Sequence, residues 1–219
     1  MHRRLVLGSM GAAAFGAGGM TLLGRTPAAR AQETGDGAPE IMEMTIGEAD
    51  APVEFIEYAS YTCPHCANFH ANVFPMLKAD YIDTGMVRFV YRNFYRNRPD
   101  LWAAMVARCA GPMRFFGVND ILYTTQSEWI ADDPATIVEN LRRIGRSVGL
   151  SDGDLDACLS DGEMAQALVD RFEGFLEIHP AEGTPSFVIQ GELYSGLSYD
   201  DMRGIIDAAL QEAGVEVEG

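Results

Sequence analysis

The stretch Val53-Glu54-Phe55-Ile56-Glu57-Tyr58-Ala59, continued by Ser60-Tyr61-Thr62 and Cys63-Pro64-His65-Cys66, decides how this chain folds. Its first seven residues are rich in apolar side chains on both parities, interrupted by Glu57, as expected of a central strand covered on both faces. The second part opens a segment that reads as a helix. Two thiols spaced C-x-x-C at a helix start can close a disulfide across one turn. Cys63 falls where unpaired backbone N–H groups and the helix dipole stabilise an anion, so its thiolate should form easily. The spacing alone leaves two chemistries open, thiol exchange and half of a structural zinc site. A second C-x-x-C is absent, and Cys109 and Cys158 stand singly with no His at finger-like spacing, so no metal site is expected.

Downstream, Cys66, Phe69, Val73, Met76 and Leu77 recur at three- and four-residue spacing and predict one helix with a sheet-facing side, kinked at Pro75. Gly85 closes that segment, and residues 87–91 read as the next strand. Strand, helix, strand makes a βαβ unit with a right-handed crossover and a parallel pair. Upstream, residues 42–46 alternate like a short edge strand. From Asp100 to Ile178 the texture changes to helical segments at 101–110, 113–124, 134–148, 155–159 and 164–176. Among these, Ile137, Leu141, Ile144 and Val148 form a stripe with Asp133 as cap, Pro134 at the first position and Gly149 past the end. Strand pattern returns at 186–189 and at Leu193-Tyr194, joined across Gly191 as an antiparallel hairpin. Ser198 then caps a last helix whose Met202, Ile205, Ile206, Ala209 and Leu210 should face inward.

The chain has 219 residues and 47% hydrophobic content, enough for a sizeable core, and its four cysteines are too few for a disulfide scaffold. Residues 1–31 read as an export signal: Arg3 and Arg4 lead, an apolar Gly- and Ala-rich stretch follows, and Ala29-Arg30-Ala31 is a small-x-small cleavage site. The adjacent arginines before Leu5-Val6-Leu7 resemble a twin-arginine signal, and an ordinary secretory signal remains the alternative. Either route leads to the bacterial periplasm, where disulfides persist. Cleavage after Ala31 removes four arginines and no acid, leaving 12 basic residues against 32 acidic ones. So acidic a surface repels nucleic acid and anionic lipid, and neither is expected as a partner.

A βαβ unit with C-x-x-C after its first strand, a helical block and then a ββα unit together resemble the thioredoxin fold of the DsbA family, the periplasmic thiol-disulfide oxidoreductases. Three features carry the resemblance: Cys63-Pro64-His65-Cys66, the segment Gly183-Thr184-Pro185-Ser186-Phe187, and the helices inserted between them. It covers nearly all of the mature chain and is nearest to the DsbA-like proteins of alphaproteobacteria, which also carry a second cysteine pair. The implied class is α/β, with a thioredoxin-like domain at 41–99 and 179–219 and an all-helical domain inserted at 100–178.

The resemblance implies a cis Thr184–Pro185 bond facing the active-site cysteines, and a role for His65 in stabilising the Cys63 thiolate. It also implies a buried acid beneath the site at Glu57, a candidate proton relay. The alternative for Glu57 is a strand acid paired with Arg88 or Arg92. His70 reads as structural, and His179 receives no role. Cys109 and Cys158 would form a structural disulfide, as two solitary thiols in one block of an exported protein usually do, with two buried free thiols as the alternative. The expected activity is oxidation of reduced exported proteins by exchange through Cys63 and Cys66, without cofactor, by a monomer reoxidised by a DsbB-type membrane partner. Two rivals stay open: an isomerase or reductase kept reduced by a membrane donor, and a copper or zinc carrier holding metal between the two thiols.

Overall fold

A computed structural model describes residues 39–215. The expected export signal at 1–31 lies outside the described residues. A five-stranded sheet forms the centre, in the order β1-β3-β2-β4-β5. Strand β2 (Val53–Ala59) is its middle member, pairing in parallel with β3 (Val87–Asn93) and antiparallel with β4 (Ser186–Ile189). On one face Phe55, Phe89, Phe187 and Phe69 pack together, and on the other Ile56, Tyr58, Val90 and Val188 do. That two-sided burial is what the apolar residues on both parities of β2 require.

Strand β1 (Met44–Ile46) joins the outer side of β3 in antiparallel sense, and β5 (Glu192–Ser195) closes the opposite edge beside β4. The β4–β5 turn places Gln190 at φ 50° and Gly191 at φ 87°. Two successive left-handed residues are the geometry that matches the twist of a two-residue hairpin. Helix α9 (Tyr199–Glu212) follows, its start held by a reciprocal capping box between Ser198 and Asp201. Met202, Ile206 and Leu210 are buried on its inner side, and Ile205 and Ala209 only partly.

The segment after Cys63 departs from the expected single helix. Helix α1 (Pro64–Asn72) stops at Val73, which both ends α1 and starts the short α2 (Phe74–Leu77). Pro75 has no N–H to donate back and fits only in a first turn, so the chain restarts a helix there instead of bending through. A wide turn at Lys78–Ile82 follows and swings Tyr81 and Ile82 into the core, whereas Met76 faces solvent at 41% exposure.

Between β3 and β4 come α3 (Arg98–Cys109), α4 (Pro112–Thr124), α5 (Gln126–Trp129), α6 (Pro134–Ser147), α7 (Asp152–Leu159) and α8 (Gly162–Ile178). Asn97, Asp133, Ser151 and Asp161 cap α3, α6, α7 and α8 through their side chains. Helix α5 was absent from the sequence expectation, since four residues carry no helical period. Cys109 and Cys158 are joined in a disulfide that ties α3 to α7, with Cα atoms 6.3 Å apart. Among the described residues no helix is long and apolar enough to cross a membrane.

Candidate active site

The site grows from the end of β2. Strand β2 delivers the chain into Ser60-Tyr61-Thr62, a tight loop whose polar groups converge on one buried acid, Asp100, 1% exposed at the start of α3. Its Oδ1 accepts from Ser60 Oγ and Thr62 N, each at 2.9 Å. Its Oδ2 accepts from Arg96 N at 2.9 Å and Thr62 Oγ1 at 3.2 Å. Burial raises the Asp100 carboxyl, and these donors oppose the rise. From α5, Gln126 Nε2 donates to the carbonyls of Tyr61 at 2.8 Å and Cys63 at 3.0 Å. The loop before α1 is therefore clamped from both sides by inserted helices. Neither Asp100 nor Gln126 was legible as a site residue; one signal that could have pointed to Asp100 was an acid at the head of a capped helix.

Cys63 occupies the N-cap of α1 with Pro64 in the first turn, and makes no side-chain capping bond of its own. Cys66 lies one turn further in and is fully buried. Both thiols are free. The Cys63 thiol is lowered to about 4. The Cys66 thiol contributes most by donating to it, and the Thr184 side chain and the backbone N–H groups of Cys66 and His65 add to the effect, against the cost of burial. The Cys66 thiol moves the opposite way, pushed far above its ordinary value first by burial, then by Cys63 and by the charge of Glu57. The pair thus consists of an outer thiolate and an inner thiol.

Across from Cys63 runs the loop before β4, where the Thr184–Pro185 peptide bond is cis. Cys63 Sγ lies 3.3 Å from the Thr184 carbonyl oxygen. Pro64 and His65 are exposed. His65 stands at the rim of an open groove of about 800 Å³ walled by Phe69, Thr184, Pro185, Leu193 and Leu197.

Glu57 is 0% exposed and bonds through Oε2 to His70 Nε2 at 2.9 Å. The alternative pairing with arginine is overturned: Arg88 binds Glu54 at 2.6 Å, and Arg92 binds Glu43 at 2.8 Å. Arg88 lies across from Glu54 in the β2–β3 register, so its side chain leaves the sheet on the face away from Glu57. His70 lies four residues after Cys66 on the same face of α1, which is how it reaches the acid below the thiols. His179, which read as having no role, meets the Tyr58 hydroxyl through Nδ1 at 3.0 Å on the other side of the sheet.

A thioredoxin-like topology with an asymmetric dithiol at a helix start and a cis-proline loop opposite defines a thiol-disulfide exchange protein. Comparison with known proteins agrees. A thioredoxin family model matches residues 40–208. A provisionally named protein-disulfide oxidoreductase of Rickettsia bellii is 32% identical over 80% of this chain and 68% of its own length. This chain spans only 61–63% of the other Rickettsia relatives of similar identity. Disulfide bond formation protein D of Bacillus subtilis is 30% identical, with 80% of this chain and 81% of that protein aligned. Among solved structures, Wolbachia pipientis alpha-DsbA1 superposes with a TM-score of 0.73 at 26% identity, covering 80% of this chain and 94% of that one. The chain belongs to the thioredoxin family, among the DsbA-like protein-disulfide oxidoreductases.

Proposed function

We propose that this protein is a periplasmic disulfide oxidase, exported through the signal at 1–31, which donates the Cys63–Cys66 disulfide to reduced exported polypeptides. The observation that carries this direction is the asymmetric pair: a Cys63 sulfur stabilised as an anion at the N-cap of α1, beside a buried Cys66 that stays protonated. Whatever stabilises the reduced form makes the disulfide a stronger oxidant.

In the oxidised protein a substrate thiolate attacks Cys63 Sγ and Cys66 leaves. A second substrate thiolate then attacks the mixed disulfide and expels Cys63, a good leaving group because its thiol is so acidic. Pro64 sits in the first turn of α1, where the helix needs no N–H from it. His65, exposed at the groove rim, supports the Cys63 thiolate through its backbone N–H. Thr184 and Pro185 form the opposite wall, where an extended substrate would pair with the backbone and rest apolar side chains in the groove, a mode tolerant of sequence. Glu57 serves the buried proton of Cys66. Cys109–Cys158 braces the 100–178 insert, which we read as a helical domain within the thioredoxin-like domain at 41–99 and 179–219.

A monomer working this way needs a reoxidant, and a DsbB-type membrane protein is the partner that the likeness to the DsbA proteins supports. Isomerase or reductase activity would require a separate membrane donor that holds the pair reduced. The metal-carrier reading lacks a third ligand: among the described residues no group of three His, Cys, Asp or Glu side chains is assembled to hold an ion. The test is transfer to a reduced, unfolded protein with native disulfides, in the presence of oxidised glutathione. Catalysed oxidation that Cys63→Ala abolishes is expected; wild-type rates no faster than glutathione alone would refute the oxidase.

A further inference from the structure

Glu57 is a carboxylate with no exposure, one oxygen bonded to His70 and the other, Oε1, without any partner. Buried charges of this kind are costly unless paired, and half of this one is left open toward chemistry. His70 is seated firmly. Its ring stacks on Tyr123 of α4 with centroids 4.2 Å apart and planes 13° from parallel, and it meets Phe69 and Phe74 at 5.4 Å and 5.0 Å.

The polar and titratable groups around the pair come from every element packed there. They are Cys66 from α1, Tyr91 from β3, Tyr61 from the loop before α1, and Tyr123 from α4, whose hydroxyl shares a 2.7 Å hydrogen bond with that of Tyr91. Burial pushes all three tyrosines above their ordinary range, so they keep their protons and do not compete. Arg88 and Arg92 are committed to Glu54 and Glu43. Within this shell the groups left to exchange a proton are Glu57, His70 and Cys66.

We propose that His70 is the proton-carrying partner of Glu57, and that the pair supplies a proton to Cys66 Sγ when the disulfide opens and takes it back when the disulfide closes. This rests on the thiol-exchange reading and adds a residue to it. As substrate thiolate attacks Cys63, a substrate–Cys63 S–S bond forms, the Cys63–Cys66 bond breaks, and its electron pair leaves on Cys66 Sγ. The proton shared between the Glu57 carboxylate and His70 Nε2 passes to that sulfur, leaving carboxylate and neutral imidazole. A second substrate thiolate then forms the substrate disulfide and Cys63 departs as thiolate, so the substrate is oxidised by two electrons and the protein reduced by two. On reoxidation by an incoming disulfide, Cys66 returns its proton to the pair before attacking the mixed disulfide at Cys63.

The deciding variant is His70→Gln, whose side-chain amide can still donate to Glu57 but cannot carry a proton. Stopped-flow reduction of the oxidised protein by a reduced synthetic two-cysteine peptide, followed across the neutral range, reads the step. Loss of about a hundredfold in rate at neutral pH with a flattened pH profile is expected, the lower end of what a positioned acid or base is usually worth. The Cys63 thiolate titration should stay in place, since His70 is not among the groups that lower it. Glu57→Gln should give the same profile, and the double variant should be no slower than either single one. A His70→Gln protein with wild-type rate and profile overturns the proposal and leaves thiol exchange standing. Additive losses in the double variant overturn it too, and no peptide oxidation by the wild type overturns both readings.

Discussion

Reducing the Cys63–Cys66 pair should stabilise the fold at neutral pH, and the gain should disappear in acid. The Cys63 thiol falls from its ordinary 9.0 to about 4 in the folded protein. A group depressed on folding contributes stability fully present above its unfolded value and lost as pH falls through its folded value. The oxidised protein has no such thiol and its cross-link contributes the same at every pH, so the pH dependence of the difference between the two redox forms isolates the thiolate. Between neutral pH and the folded value the full linkage is ~4 kcal/mol. Cys63 is itself buried, 2% exposed, but it adjoins the exposed Pro64 and His65, and screening by that nearby solvent brings the expected gain to ~2 kcal/mol. Urea unfolding of both forms, in a Cys109→Ala/Cys158→Ala background so that reductant alters one pair only, measures it. The gap should widen steadily with pH between about pH 4 and pH 8. A gap independent of pH would refute the stabilised thiolate.

Three further outcomes bear on the scaffold. Replacing both Cys109 and Cys158 by alanine removes a cross-link between positions 49 residues apart and should cost ~2–4 kcal/mol in urea unfolding, with Cys63 chemistry unchanged. Asp100→Asn leaves one acceptor oxygen where four donors now converge, and should cost ~1–3 kcal/mol while loosening the loop before Cys63, read as faster exchange of the Thr62 amide. At Gly145 an added Cβ would stand 2.5 Å from Leu155 Cδ2, so Gly145→Ala should lower stability by ~1–3 kcal/mol through overpacking where α6 meets α7.

The strands were legible because their signals are local and strong. Residues 53–59 and 186–189 match β2 and β4 end to end, since both are rich in apolar side chains and bounded by turn residues. The start of α6 was equally plain, with Asp133 accepting from Thr136 N as an N-cap should. What failed was whatever depended on a neighbour far along the chain. The break at Val73 follows from where Pro75 can sit in a first turn, yet the inward swing of Tyr81 and Ile82 depends on how the Lys78–Ile82 turn packs on the sheet. Likewise Glu57 read as an acid near two arginines, but strand parity sends Arg88 to the opposite face and helix period brings His70 beneath it. The two cysteines of the exchange pair were visible as a motif; their unequal chemistry is set by burial, by Thr184 from 121 residues away, and by a loop held through Asp100.

Whether Cys63 and Cys66 form an oxidising pair is read most directly by equilibrating the protein with defined ratios of reduced and oxidised glutathione. The Cys63 thiolate, which favours the reduced form, should place the potential much nearer the ~−120 mV of DsbA than the ~−270 mV of thioredoxin. A potential at the thioredoxin end of that range would contradict it.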